Sequence, residues 1–130
     1  MTAGAPVPEA IAQREPDVAS ASGAPWSDVV PVDRLIPGRG VAALVAGRQI
    51  AIFLVDGDEL FALDNLDPFS GAYVMSRGIV GDRAGAPKVA SPMFKQSFDL
   101  RTGQCLDDDA VRIPTYPVRL VDGRVEVAVP

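Results

Sequence analysis

The chain has 130 residues, 17 acidic and 12 basic side chains for a net charge of −5, no histidine, and a single cysteine, Cys105. Such a length suits one domain, and without histidine the commonest general acid–base and transition-metal ligand is gone. One thiol forms neither an internal disulfide nor a multi-thiolate metal site, and an acidic chain without a Lys/Arg stripe argues against nucleic acid and anionic membranes as partners.

Residues 1–25 are rich in Ala, Pro, Ser and Gly and hold no aromatic side chain. They cannot bury enough apolar surface to offset ordering entropy, so a disordered arm is expected, with an arm that orders on a partner as the rival reading. The stretch has no basic-then-apolar signal pattern, and no apolar run in the chain approaches the roughly 20 residues of a membrane span. With the unpaired thiol, this fits a reducing cytoplasm.

From Trp26 onward the chain reads as one β domain over 26–130. Residues 28–32 predict a first strand, placed at a sheet edge by Pro31. Residues 40–45 and 49–55, joined by Ala46-Gly47-Arg48, predict a hairpin, and a turn at 56–58 leads into a third strand over 59–64. Residues 70–77 could make a helical turn or two. Further on, 98–100 and the segment after Gln104 flank a tight turn at Arg101-Thr102-Gly103, and strands at 116–120 and 124–129 flank Asp122-Gly123. Many short strands with glycine turns and no long helix predict an all-β sandwich or partly open barrel.

Two loops carry most of the functional information. They read Asp67-Pro68-Phe69-Ser70-Gly71 and Ser91-Pro92-Met93-Phe94-Lys95, the second running through Gln96 into Phe98-Asp99-Leu100-Arg101-Thr102-Gly103. With Phe61-Ala62-Leu63-Asp64 before them, this layout resembles the Rieske family, in which Cys-Pro-His and Cys-Pro-x-His loops hold a [2Fe–2S] cluster. The resemblance spans roughly residues 27–129 and implies a Rieske-like all-β fold. By position the four ligands map onto Asp67, Phe69, Ser91 and Phe94. Phenylalanine has no lone pair to offer, and the oxygen donors of Asp67 and Ser91 do not replace soft thiolates.

Asp64-Asn65-x-Asp67-Pro68-Phe69-Ser70-Gly71-Ala72, Ser76-Arg77-Gly78-Ile79-Val80-Gly81-Asp82 and Ser91-Pro92-x-Phe94-Lys95-Gln96-x-Phe98-Asp99-Leu100 narrow the likeness further. They are similar to the cluster-less branch formed by small subunits of assimilatory NAD(P)H-dependent nitrite reductases. That resemblance implies no cofactor in this chain. It also implies a large-subunit partner carrying FAD, sirohaem and a [4Fe–4S] cluster, which reduces nitrite to ammonium in nitrate assimilation. The alternative is a cluster-less Rieske-type scaffold serving another oxidoreductase as an accessory or ligand-binding module.

Phe69 and Phe94 either fill the volume a cluster would take or face a partner as aromatic anchors. Arg77, Met93, Lys95 and Gln96 are either ordinary solvated or gap-filling side chains or further partner contacts. Asp107-Asp108-Asp109 lacks the spaced ligands of a calcium loop and reads as a solvated turn, and Cys105 reads as an apolar strand residue. With neither a histidine pair nor a dinucleotide fingerprint, no catalytic or cofactor-binding residue is expected in this chain.

Overall fold

The structure, a computed structural model, describes residues 24–56 and 59–130. The arm expected over 1–25 lies outside the described residues except for its last two, as do residues 57 and 58 of the turn predicted after Val55.

The centre of the molecule is a four-stranded antiparallel sheet ordered β2-β3-β4-β8, from β2 (Gly40–Val45), β3 (Arg48–Val55), β4 (Glu59–Asp64) and β8 (Thr115–Tyr116). Strands β3 and β4 are nearly continuous apolar runs because both faces of this sheet are covered. With side chains alternating across the pleat, Ile50, Ile52, Leu54, Leu60 and Ala62 join one core with Val118, Val125 and Val127. Ala51, Phe53, Val55, Phe61 and Leu63 join the other with Met75, Val89, Phe98, Leu100, Cys105 and Ile113.

The first core is closed by the sheet β1-β10-β9, built from β1 (Trp26–Pro31), β10 (Arg124–Ala128) and β9 (Val118–Val121). As Pro31 foretold, β1 is an edge strand. The second core is closed by β5-β6-β7, built from β5 (Ile79–Arg83), β6 (Ala86–Ala90) and β7 (Ser97–Asp99). The all-β expectation therefore holds, as three antiparallel sheets with no closed barrel.

Three local expectations need correction, and one hairpin has no counterpart in the sequence reading. The single strand predicted at 116–120 is two: the chain leaves the central sheet at Pro117, which has no N–H for a ladder, and continues as β9 in the outer sheet. Of the helical turn expected over 70–77, only a 3-10 turn at Met75–Arg77 forms, because residues 67–72 are committed to a hydrogen-bonded loop. After Gln104 no strand forms; Cys105 and Gln104 make isolated bridges to Phe98 and Arg112, and the Gln104 carboxamide caps the carbonyls of Asp109 and Val111. The β5–β6 hairpin was not foreseen, since Gly81 and Pro87 interrupt its strand pattern. Its two-residue turn, Ala84 and Gly85 at φ 55° and 85°, is of the kind that matches strand twist.

Candidate functional site

The two loops that stand out in the sequence are built alike. In the first, the Asp67 N–H donates to the Ala72 carbonyl at 2.8 Å and the Gly71 N–H to the Asp67 carbonyl at 2.8 Å. In the second, Ser91 N–H donates to Gln96 carbonyl at 2.9 Å and Lys95 N–H to Ser91 carbonyl at 3.0 Å. The hairpin after β7 repeats the pattern, with Asp99 N–H to Gln104 carbonyl at 2.9 Å and Gly103 N–H to Asp99 carbonyl at 2.7 Å.

In all three, the opening residue's side-chain oxygen accepts the N–H two positions on: Asp67 Oδ1 from Phe69 at 2.9 Å, Ser91 Oγ from Met93 at 3.2 Å, Asp99 Oδ1 from Arg101 at 2.8 Å. This is the local turn chemistry of Asp and Ser, and it explains why those residue types open the loops.

The fifth residue of each loop is left-handed: Gly71 at φ 77°, Lys95 at 70° and Gly103 at 80°. Two of the three are glycine, as that conformation favours. At Gly103 a side chain would also strike the Ile113 carbonyl, so no other residue fits. Lys95 is the exception, and holding a side chain there costs about 1 kcal/mol relative to glycine.

The loops meet through their opening residues. Asp67 and Ser91 are both buried, and the Ser91 hydroxyl donates to Asp67 Oδ2 at 2.6 Å, with the Ser70 hydroxyl reaching the same oxygen at 2.9 Å. Burial by itself would raise the Asp67 carboxyl. The hydroxyls of Ser91 and Ser70 and the amides of Phe69 and Ser70 outweigh it and hold the group below the ordinary aspartate value. Among the described residues no cation pairs with this carboxylate.

The two phenylalanines part company. The half-buried Phe69 turns inward, its ring 6.2 Å from that of Phe98 and packed on the second core, as the filling reading expects. Phe94 is 59% exposed, so filling fails for it: it stands at the tip of its loop beside Met93, 48% exposed, and the exposed Lys95. Gln96 closes the loop through its backbone, and its Oε1 is buried without a hydrogen-bond partner. Arg77 is exposed on the 3-10 turn and makes no side-chain hydrogen bond or ion pair among the described residues, so nothing ties it to the tip.

Two supporting residues escaped the sequence reading. Buried Asn65 accepts the Ser76 N–H at 2.7 Å and donates to the Tyr73 carbonyl at 3.2 Å, fixing both ends of the first loop's return. Asp107, expected as mere solvated turn, accepts the Ser97 N–H at 2.8 Å. The Asn-x-Asp-Pro spacing could have flagged Asn65, since Asn and Asp beside Pro mark structured turns. Cys105 is buried in the second core, as its apolar reading expects, but it lies in an isolated bridge to Phe98 and not in a strand.

A surface groove of about 520 Å³ is lined by Pro37, Asp56, Glu59, Val80, Asp82 and Pro87 among others, none of them in the two loops. Among the described residues no cluster of acidic or thiol side chains could hold a metal ion.

A profile described as the Rieske-like [2Fe-2S] domain matches residues 25–128. The nitrite reductase (NADH) small subunit of Salmonella typhimurium is 41% identical over 103 residues, covering 78% of this chain and 95% of that protein. A crystal structure from Mycobacterium tuberculosis, assigned as an NADH-dependent nitrite reductase small subunit, superposes with a TM-score of 0.80 at 50% identity, covering 82% of this chain and 96% of that one. The nitrite reductase [NAD(P)H] large subunit of Klebsiella oxytoca is 40% identical over 116 residues, which are 89% of this chain but only 12% of that protein.

The cluster in the family's description finds no fitting donor set here. A Rieske centre takes two thiolates and two imidazoles, and a chain with one buried cysteine and no histidine cannot supply them. Where the loops face each other, the Asp67 carboxylate and the Ser91 hydroxyl are already bonded to one another.

Proposed function

The chain belongs to the Rieske-like [2Fe-2S] domain family, and from that premise we propose that it is the small, non-catalytic subunit of a cytoplasmic NAD(P)H-dependent nitrite reductase. In this reading the large subunit carries FAD, sirohaem and a [4Fe–4S] cluster and reduces nitrite to ammonium for nitrate assimilation. This chain holds no cofactor. It binds neither nucleic acid nor membrane; no helix among the described residues is long and apolar enough to cross one.

The observation that carries the reading is the pairing of a retained Rieske-like scaffold with loops whose opening residues bond to each other. A fold kept intact around such a junction serves by shape and surface. The match to a segment of the Klebsiella large subunit supports the partner, because there the equivalent domain and the large subunit share one polypeptide.

Co-expression with the large subunit of the same organism tests the proposal. The two chains are expected to co-purify, and the purified small chain alone is expected to be colourless and free of stoichiometric iron. Absence of any association, or a brown small chain with bound iron, would contradict it.

A further inference from the structure

We infer that the loop from Ser91 to Gln96 is the surface by which this chain docks on the large subunit, with Met93 and Phe94 as apolar anchors and Lys95 meeting an acidic rim of the partner. The inference rests on the subunit reading above and specifies its geometry.

Three observations converge on this one loop. The first is the comparison among three loops of the same build. Positions equivalent to Lys95 are glycine in the other two, Gly71 and Gly103, and all three are left-handed. Left-handed residues other than glycine also occur in the turns at Ala46, Asp56, Ala84 and Asp122, but within this loop architecture the chain twice uses glycine and here holds a lysine at a solvent-exposed tip. No structural partner accounts for it: Lys95 is exposed and makes no ion pair or side-chain hydrogen bond among the described residues.

The second is exposure. Phe94 and Met93 are adjacent large apolar side chains, 59% and 48% exposed, at the tip of the turn. An aromatic ring beside a flexible thioether, rimmed by a cation, has the composition of an interface centre. The matching loop differs, sending Phe69 into the core.

The third is rigidity. The Asp67–Ser91 bond of 2.6 Å ties the base of this loop to its neighbour, and Ser91 Oγ also caps the Met93 N–H. A tip held in this way binds without first being ordered, which is where affinity is commonly lost.

Charge sets the partner's chemistry. The chain as a whole carries −5, yet residues 91–96 contain one cation and no acid. An acidic patch on the large subunit would be repelled by the net charge of this chain and attracted by the acid-free loop, which orients the encounter.

The experiment measures binding of the full chain to the purified large subunit for wild type, Phe94→Ala, Lys95→Glu and Lys95→Gly, with melting temperatures alongside. Phe94→Ala is expected to bind at least tenfold more weakly with unchanged melting. Lys95→Glu keeps a side chain on the strained backbone; it should lose about tenfold at low salt, less as salt rises, with unchanged melting. Lys95→Gly should bind several-fold more weakly while melting a few degrees higher, a combination that no purely structural role for Lys95 would give. Variants that all bind within twofold of wild type would overturn the docking surface and leave the subunit reading standing. Failure of the wild type to bind would overturn both. Self-association of the chain that Phe94→Ala abolishes, with large-subunit binding unaffected, would reassign the tip to a second copy and also overturn the inference.

Discussion

At the scale of single residues, the junction between the loops rests on two short polar side chains. Ser91→Ala removes a hydroxyl from a buried carboxylate and leaves Asp67 with one donor fewer, at an expected cost of about 1.5–3 kcal/mol in a denaturant titration. An unchanged midpoint would show that Ser70 and the loop amides suffice. Asp67 contributes stability that is present above the unfolded value of about 3.9 and lost as pH falls through its lower folded value. Asp67→Asn should therefore lower stability at neutral pH and flatten the fall on the acid side of the profile.

Tyr116 shows the opposite sign. Burial, and then the hydrogen bond it donates to Asp64 at 2.6 Å, push its hydroxyl up to about 12. The raised value favours the protonated fold, so the stabilisation is complete below about pH 10 and disappears as pH rises through about 12. A phenolate absorbance titration should show this late step and lose it in Tyr116→Phe; a Tyr116 that ionises near 10 would contradict the arrangement.

At the scale of elements, the loops explain both what the sequence displayed and what it hid. Asp67, Ser91 and Asp99 are recognisable as turn openers, and Gly71 and Gly103 as the left-handed positions that follow. Lys95 carries no such mark, because nothing in its own identity announces a positive φ. The equivalence of the three loops emerges only from their hydrogen bonds. For stability alone, Lys95→Gly should gain about 1 kcal/mol while Gly103→Ala should lose considerably more, since it adds strain to a clash with the Ile113 carbonyl. Equal responses at the two positions would mean the loops are not alike.

The strands were legible to the same degree as their patterns. The limits of β2 and β4 were anticipated residue for residue because glycine and charge bracket clean apolar runs. The β5–β6 hairpin was not, since Gly81 and Pro87 dilute its strand signal and Ile79 points to solvent with 69% exposure. The direction taken by Phe94 was equally out of reach. Whether a loop aromatic turns in or out depends on which loop offers it a core, and Phe98 gives that to Phe69 alone.

At the scale of the whole molecule, two cores share one central sheet, and each outer sheet buries one of its faces. Both loops rise from the second core, through β4 into the first loop and between β6 and β7 for the other. The β1-β10-β9 sheet lies on the opposite side of the central sheet, and its role follows from packing: it closes the first core with Val118, Val125 and Val127. With the proposed docking loop, this division separates stability from recognition. Val127→Ala should lower stability by about 1–3 kcal/mol without altering partner affinity once folded, whereas changes at the loop tip should do the reverse.

In the proposed assembly the chain meets its partner through the second loop. Hydrogen exchange of the chain, free and in complex with the large subunit, addresses it directly. New protection is expected at residues 93–96, with the β1-β10-β9 sheet unchanged. Protection confined to that outer sheet, or a tip that exchanges equally in both states, would contradict it.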